Sequence, residues 1–473
     1  MRKTAAIILL FAMLLSTVAC GTPAPDSNTP PGGQTSENQE NEESGTGSEQ
    51  KPEKPEPKEF DKTAVISETV LWDKNNIKIT ATELTYGYYS AELSLLIENN
   101  SDENLSFIAN SIGYSRNSIN GYMVSDGYLN CEVAAGKKAM DSIEFGYTDL
   151  MLYGIYTIAD IEIGFDIQNE QYKHIYTGSQ QIKTTAADTY DYETPHYRNT
   201  IAEKNMQVQY GYTVPYFSDV VCYAEKGLTV ASCALIVNED SEELLLMEVI
   251  NESDKMVAVC SKNIRFNGLL VESSTWSYDA ISPGNTGIIS INLDSILEAE
   301  FRTAYGINEI GEISLELTFE DEDSNIAAPS TTIKLEVPKR DSSLDMEGVK
   351  AYNANGIQII SKGIYADPAT YSDDLHLLLM VQNSTGKTIK IDDISNSLSV
   401  NDFMVSYLFL IQTIPHDSWA ALDVELMDYD LESLNISSPT DIEALDFRIS
   451  IKNENYKELD TVDIQLTFST KAE

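Results

Sequence analysis

The chain has 473 residues, with 75 acidic and 31 basic side chains and a formal net charge of −44. Such a charge repels phosphate backbones, which excludes nucleic acid as a partner, and it keeps an extracellular surface well solvated. The length predicts several domains.

The first 20 residues have the organisation of an export signal. Arg2 and Lys3 precede an apolar stretch over residues 5–15 that is too short to span a bilayer as a mature helix. The exit Val18-Ala19-Cys20-Gly21 resembles the lipobox of bacterial lipoproteins. The resemblance covers only this leader, and it implies that Cys20 carries the lipid that holds the protein on the extracellular face of the cell membrane. Cleavage by the ordinary signal peptidase is the alternative.

Residues 21–60 follow the leader and are rich in Pro, Ser, Thr, Asn, Gly, Glu and Lys. This composition cannot bury enough apolar surface to fold, so the segment is predicted to be a disordered tether.

The remaining chain contains three copies of one unit, which we place at residues 61–187, 216–338 and 339–473. In each copy an aromatic residue stands five positions before an aliphatic one, and the turn between them ends in a residue that tolerates positive φ. The aromatic, turn and aliphatic positions are Trp72, Asn76 and Ile77, then Tyr223, Gly227 and Leu228, then Tyr352, Gly356 and Ile357. This pattern predicts a hairpin at the start of each unit.

A second recurring element is an alternating apolar strand that stops at an asparagine. The three positions are Asn99, Asn251 and Asn383, and each is followed two residues later by Ser or Thr. Asn-x-Ser/Thr is a glycosylation acceptor in secreted proteins. In a bacterial lipoprotein we instead interpret it as an Asn side chain that closes a turn.

The later part of each unit repeats as well. It contains a hairpin turn, a short helical segment around Leu150, Leu297 or Leu431, a long strand and a final strand. The hairpin turns are Asn120-Gly121, Asn267-Gly268 and Asn401-Asp402. About seven short strands in each unit predict an all-β fold of three tandem antiparallel β-sandwich domains. The architecture resembles the immunoglobulin-like domains of bacterial surface lipoproteins, a resemblance that supports the fold and no activity.

Residues 188–215 break the repeat and form a Tyr-rich junction that includes Tyr190, Tyr192, Tyr197 and Tyr210. Tyrosines on such a segment can form a recognition surface. They can also belong to an extra strand that covers a sheet edge, which is the interpretation we prefer.

Residues able to carry chemistry are few and scattered. Apart from Cys20 the cysteines are Cys131, Cys222, Cys233 and Cys260; none forms a C-x-x-C pair, and Cys233 and Cys260 either pair or stay free. The histidines are His174, His196, His376 and His416, too dispersed for a His-rich metal cluster. Acidic clusters at residues 320–323 and 428–430 suit calcium, but Ile326 stands where a calcium-binding EF-hand loop needs glycine. We predict no catalytic residue, metal or cofactor.

These observations favour a non-enzymatic cell-surface lipoprotein that presents its domains to an unknown protein or to a cell-envelope polysaccharide. The alternative is a set of carbohydrate-binding or adhesion modules that use Trp276, Trp419 or the junction tyrosines. A carboxylate-based hydrolase with no identifiable residues is a third hypothesis.

Overall fold

The computed structural model describes residues 58–110, 117–203, 211–367 and 373–468. The leader, Cys20, nearly all of the tether and Tyr210 lie outside these ranges. The described residues all belong to one compact unit, Pro55–Glu473. Within them, no helix has both the length and the apolar character that a membrane crossing requires.

The first repeat unit consists of two layers of antiparallel strands. Its first sheet has the order β1-β2-β3-β8, and its second layer comprises β11-β10-β4-β7 and β12-β9-β5-β6. The elements are β1 (Thr69–Lys74), β2 (Ile77–Tyr86), β3 (Ser90–Asn99), β4 (Leu105–Ala109), β5 (Asn117–Ile119), β6 (Tyr122–Val124), β7 (Leu129–Val133), β8 (Lys137–Gly146), α1 (Tyr147–Leu152), β9 (Asp160–Ile163), β10 (Phe165–Asn169), β11 (His174–Tyr176) and β12 (Gln180–Lys183).

The second unit follows the helix α2 (His196–Ala202) and repeats the two-layer arrangement. Its first sheet is built from β14, β15, β16 and β20, and its second from β19, β17, β18, β21 and β22. The elements are β13 (Thr213–Ser218), β14 (Tyr223–Glu225), β15 (Leu228–Val237), β16 (Glu243–Asn251), β17 (Val257–Phe266), β18 (Leu269–Glu272), β19 (Ser277–Ile281), β20 (Thr286–Asn292), α3 (Ala299–Ala304), β21 (Glu312–Asp321) and β22 (Ile326–Glu336).

The third unit shows the same pairing once more. Strands β23, β24, β25 and β31 form its first sheet, and β28, β27, β32, β26, β30 and β33 form its second. The elements are β23 (Val349–Ala354), β24 (Ile357–Ala366), β25 (Leu375–Asn383), β26 (Ile389–Asp393), β27 (Ser399–Val400), β28 (Phe403–Met404), β29 (Tyr407–Phe409), β30 (Gln412–Ile414), β31 (Ser418–Leu426), α4 (Asp428–Ser433), a 3₁₀ turn (Pro439–Asp441), β32 (Ala444–Asn453) and β33 (Glu458–Thr467). The all-β fold class predicted from the sequence is confirmed.

The core of each unit lies between its two layers. In β3 the residues alternate, so that Leu93, Leu95 and Ile97 are fully buried while the residues between them are half-buried. They belong to one hydrophobic cluster with Phe107 of the opposite layer. Each fully buried aliphatic side chain contributes about 1.5–3 kcal/mol to folding, so this alternation sets which face of each strand is inward.

The opening hairpins have the predicted turns. Asn75 and Asn76 both have positive φ, 56° and 58°. Lys226-Gly227 and Asn355-Gly356 adopt the same conformation in the other two units. Two successive residues with positive φ match the right-handed twist of the flanking strands, which explains why Asn and Gly recur at these positions.

The asparagines that end the third strand of each hairpin sheet are structural. Asn251 is fully buried, and its Oδ1 accepts from the Ser253 backbone N–H at 3.0 Å. Its Nδ2 donates to the carbonyl oxygens of Lys255 and Ile281, each at 2.8 Å. Asn99 and Asn383 make the corresponding hydrogen bonds. The interpretation of Asn-x-Ser/Thr as a turn closure is confirmed.

Two sheets continue from one repeat unit into the next. Tyr122 of β6 pairs in parallel with Thr286 of β20, and Leu269 of β18 pairs in parallel with Trp419 of β31. The outer face of the first sheet in each following unit is buried at these contacts. Leu246 of the second unit belongs to the hydrophobic cluster of the first unit, and the equivalent residue of the third unit belongs to the cluster of the second unit. Parallel pairing was not predicted from the sequence, which indicated antiparallel strands throughout.

The Tyr-rich junction supplies both a helix and a strand. Strand β13 pairs with the edge of β15 over Tyr216, Phe217 and Ser218, so an extra edge strand is present. The prediction is wrong for the tyrosines before it, because Tyr190 and Tyr192 lie outside any strand and Tyr197 lies in α2. Tyr197 of α2 is fully buried and packs edge-on against Tyr153, with ring centroids 6.4 Å apart. These tyrosines therefore fill the boundary between the first and second units.

Candidate functional site

A polar cleft of about 340 Å³ lies where the first unit meets the second. We call it the junction cleft; its lining residues are Gly121, Asp160, Glu162, Gln181, Lys183, Ala187, Tyr192, Gly284 and Asn285. Most come from β9, β12 and two turns. The cleft exists because the Asn120-Gly121 turn of one unit abuts the Gly284-Asn285 turn of the next, where the Thr286 N–H donates to the Gly121 carbonyl at 2.8 Å.

Two carboxylates share this cleft because they stand two residues apart on β9. Glu162 Oε2 accepts from Asn285 Nδ2 at 3.0 Å and from Ser118 Oγ at 3.2 Å. Asp160 is 5% exposed, and burial raises the pKa of its carboxyl, an effect that a hydrogen bond with Tyr192 opposes. Neither residue was predicted from the sequence, although the alternating acids of Asp-Ile-Glu-Ile were a readable signal.

Tyr192 gives the cleft an aromatic wall. Its side chain is 46% exposed, and its ring packs edge-on against Tyr190 with centroids 4.8 Å apart. Of the junction tyrosines, it is Tyr192 that combines exposure with neighbouring carboxylates, whereas Tyr197 is buried and Tyr212 packs against the first core. The recognition hypothesis for the junction therefore narrows to Tyr192.

The two tryptophans proposed as binding residues differ in their surroundings. Trp276 precedes β19 and is 40% exposed. Trp419 lies on β31 beside Leu269 and packs against the second hydrophobic cluster. Trp419 is only partly exposed, because the contact between the second and third units covers part of its side chain, so it is not the freely exposed residue that was expected.

A second cleft, of about 390 Å³, adjoins α4 in the third unit. Its acidic residues are Asp373, Asp428 and Glu432, and Leu431 and Ile436 form its apolar floor. The charged side chains of this cleft are all acidic, and none of its lining residues is aromatic. The cleft contains one of the acidic clusters predicted from the sequence, around Asp428.

The other acidic cluster is occupied by local hydrogen bonds. Asp321 Oδ1 accepts from the backbone N–H of Asn325 at 2.9 Å, and Lys255 Nζ lies 2.7 Å from Asp321 Oδ2. The Lys255 ammonium is the main reason why the pKa of Asp321 falls to about 2. Across the described ranges, no group of three or more His, Cys, Asp or Glu side chains could hold a metal ion.

The four histidines lie apart, and His376 has the most developed surroundings. It is buried, and its Nδ1 lies 2.9 Å from Asp423 Oδ2. Its ring packs against Phe301 of the second unit, with centroids 4.8 Å apart. His174 similarly contacts Asp166 at 3.0 Å, and the others lie in turns or at a helix start. His376 is therefore part of the contact between two repeat units.

The cysteine geometry does not favour a pairing of Cys233 with Cys260. Cys233 lies on β15 in the first sheet of the second unit, whereas Cys260 lies on β17 in the second sheet. The Sγ of Cys233 lies 3.9 Å from the Sγ of Cys222. The hydrogen bond with Cys233 lowers the pKa of the Cys222 thiol to about 7, and burial opposes this shift.

No family model matches this sequence, and no curated protein does. Among solved structures, similarity is found to a red sea bream transglutaminase, 10% identical over 57% of this chain and 32% of that chain, with a TM-score of 0.16. A bacterial ice-binding adhesin is 10% identical over 80% of this chain and 90% of that chain, with a TM-score of 0.14. A β-galacturonidase from Eisenbergiella tayi is 8% identical over 58% of this chain and 42% of that chain, with a TM-score of 0.14. The chain thus spans about a third of the transglutaminase and under half of the galacturonidase.

Proposed function

We propose that the chain is a non-enzymatic cell-surface lipoprotein, anchored through Cys20, whose tandem β-sandwich units serve in binding or scaffolding at the cell envelope. The observation that carries this proposal is that the repeated asparagines have a structural role. Asn99, Asn251 and Asn383 are fully buried and spend their hydrogen bonds on turns. What the units share is therefore framework, and their exposed loops and edges are free to differ.

The lipid anchor is tested by the Cys20→Ala variant. Because lipid attachment requires the Cys20 thiol, this variant is expected to move from the membrane fraction to the medium. Cys222→Ser, which changes an exposed cysteine of the folded part, is the matched control and is expected to stay with the membrane. Retention of Cys20→Ala in the membrane fraction would contradict the anchor.

Carbohydrate binding is the second candidate, and the junction cleft favours it. Sugars are bound by an aromatic face beside groups that can donate and accept hydrogen bonds. The cleft provides Tyr192 beside Glu162, Gln181, Lys183 and Asn285. A cell-envelope polysaccharide is thus the ligand class that we assign to this cleft.

The test is a pull-down of the full-length chain with polysaccharide prepared from its own cell envelope. Tyr192→Ala is expected to lose at least about ten-fold in binding, as expected when a central aromatic contact is removed. Tyr128→Ala, which changes another exposed tyrosine, in the first unit, is the control and should bind like the parent. Equal binding by both variants would remove the cleft as the site.

The same experiment separates binding from hydrolysis. Asp160 and Glu162 are the paired carboxylates that a glycoside hydrolase would need in this cleft. We expect the polysaccharide to be recovered at unchanged length after incubation. Shortening that disappears in Glu162→Gln would establish the hydrolase instead.

A further inference from the structure

The two contacts between repeat units are built in the same way, residue for residue. In both, the strand that follows an Asn-Gly turn lies beside the last strand of the next unit's first sheet. Tyr122 and Leu269 each come two residues after the asparagine of the turn. Tyr122 pairs with Thr286, and Leu269 pairs with Trp419. Thr286 and Trp419 are themselves equivalent, because each pairs with the residue just before the buried asparagine of its own unit.

The third unit also has the strand that follows this turn, β28, and no strand of another unit pairs with it among the described residues. Phe403, two residues after Asn401, corresponds to Tyr122 and Leu269, and Met404 follows it in β28. Tyr122 is 8% exposed and Leu269 is fully buried, whereas Phe403 and Met404 are each 58% exposed. Within the described residues, β28 pairs with β27 alone.

The first unit has the strand that corresponds to β20 and β31. This strand, β8, also lies at the edge of its sheet. In β8, Lys138 pairs with Glu98, just before Asn99, so it corresponds to Thr286 and Trp419. Two residues further on, Met140 is 65% exposed, while its counterparts Ile288 and Ala421 are each 8% exposed inside the two contacts. We call β28 of the third unit and β8 of the first unit the free ends. Each therefore exposes apolar side chains at positions that are buried in the contacts between units.

The charges at the two free ends are complementary. In the contact between the first and second units, Asn285 donates to Glu162. Strand register places Lys137 at the position of Asn285, and places Asp446 at the position of Glu162. A second copy of the chain would thus bring a lysine to an aspartate where the internal contact has an amide and a glutamate.

We propose that the chain associates head to tail with a second copy of itself, through β28 of one copy and β8 of the other. The pairing is parallel, with Phe403 beside Lys138 and with Lys137 facing Asp446. Such a contact is heterologous, so it leaves one free end on each side and can add further copies. It follows from the internal contacts and does not depend on the lipid anchor or on the ligand of the junction cleft.

The intermolecular contact is weaker than the internal ones. On the outer face of the first unit, Glu92 and Ser94 occupy the positions of Leu244 and Leu246 in the second. Less apolar area is buried as a result, and the lysine and aspartate pair contributes a larger share. The association is therefore reversible and weakens as salt concentration rises.

Mixing two cysteine variants of the full-length chain tests the register. Lys138→Cys and Phe403→Cys, both in a Cys222→Ser background, are expected to form a disulfide-linked dimer only when the two are mixed under oxidising conditions. Directly opposed strand residues have Cα atoms close enough for a disulfide. Lys173→Cys, exposed in the turn between β10 and β11, replaces Lys138→Cys as the matched control and should give no dimer with Phe403→Cys.

A charge exchange tests the association without a cross-link. Sedimentation of Lys137→Glu or Asp446→Lys alone should show roughly five-fold weaker association than the parent chain, as expected for one partly exposed ion pair. A mixture of the two variants should recover association between unlike chains. The proposal is overturned if the parent chain is monomeric at every concentration tested, or if the Lys173→Cys control links to Phe403→Cys as efficiently as Lys138→Cys does.

Discussion

The Arg302 guanidinium donates a hydrogen bond of 2.9 Å to Glu243 Oε2, and both side chains are almost fully buried. Arg302 also contacts Asp294, and Arg340, at the start of the third unit, donates to the other carboxylate oxygen of Glu243. This network ties α3 to β16 and to the following linker. Buried charges are tolerated here because each one meets an opposite charge.

Arg302→Met is expected to lower the free energy of unfolding by about 3 kcal/mol, because it leaves Glu243 and Asp294 without their shared cation. Urea denaturation of the purified chain measures this loss. The double variant Arg302→Met with Asp294→Asn should recover part of it, since the carboxylate that Arg302 alone paired is neutralised as well, while Glu243 keeps Arg340. A loss below about 0.5 kcal/mol for the single variant would show that the network contributes no more than a surface ion pair.

The contact between the second and third units is expected to lose stability as pH rises through the folded-state pKa of His376. Burial lowers the pKa of His376, but the hydrogen bond to Asp423 and the nearby charges of Glu425 and Asp367 outweigh burial, and the net pKa is raised. A raised pKa in the folded state means that the folded chain holds the proton more tightly. The contribution of His376 to the free energy of unfolding is complete below about pH 6.5, and it is lost as pH rises through the folded-state pKa.

Urea midpoints measured at about pH 6 and about pH 8.5 should therefore differ, with the lower pH more stable. In His376→Gln this difference should shrink. His416→Gln changes an exposed histidine of the same unit and serves as the control that keeps the difference. An unchanged pH dependence in His376→Gln would assign the effect to other groups.

Asn251→Ala is expected to destabilise the chain by about 2–3 kcal/mol, because the buried carbonyl groups of Lys255 and Ile281 lose their donor. Ser253→Ala removes a hydroxyl that lies at the turn surface and should cost about 1 kcal/mol or less. Thermal unfolding of both variants gives the comparison. Equal, small effects would mean that water replaces the asparagine in this turn.

Oxidation should join Cys222 to Cys233. Their Sγ atoms are 3.9 Å apart, and the lowered pKa of the Cys222 thiol, about 7, provides a thiolate at neutral pH. With diamide as the oxidant, the two thiols lose two electrons and two protons to the diamide, and an S–S bond of about 2.05 Å forms. A non-reducing peptide map should contain the linked pair in the parent and in Cys260→Ser. A link from Cys233 to Cys260 would contradict the arrangement described for β15 and β17.

The sequence predicted the turns and the inward faces well, for physical reasons that act locally. A turn with two positive φ angles admits few residues other than Asn, Asp and Gly, so Asn120-Gly121 and its counterparts were visible in the sequence. Other elements depended on distant partners. The long strand predicted in the later part of the first unit is divided at Gly164, because β9 and β10 join different sheets.

The junction cleft could not be predicted because its residues come from separate units. Asp160 and Asn285 meet only after two units dock, and no local pattern marks a docking edge. Trp419 was misplaced for the same reason, since a tryptophan on an alternating strand has the same sequence pattern whether the neighbouring surface is water or another sheet.

The hydrogen-bonded ladders that link the units are much shorter than the longest ladders inside them. Tyr122 and Thr286 form the single paired position of the first contact, and two positions form the second, whereas β3 and β8 share ten. When a chain held at one end is pulled at the other, short ladders open before long ones. Mechanical load would therefore separate the units from one another before the long ladders inside them, such as that of β3 and β8, come apart.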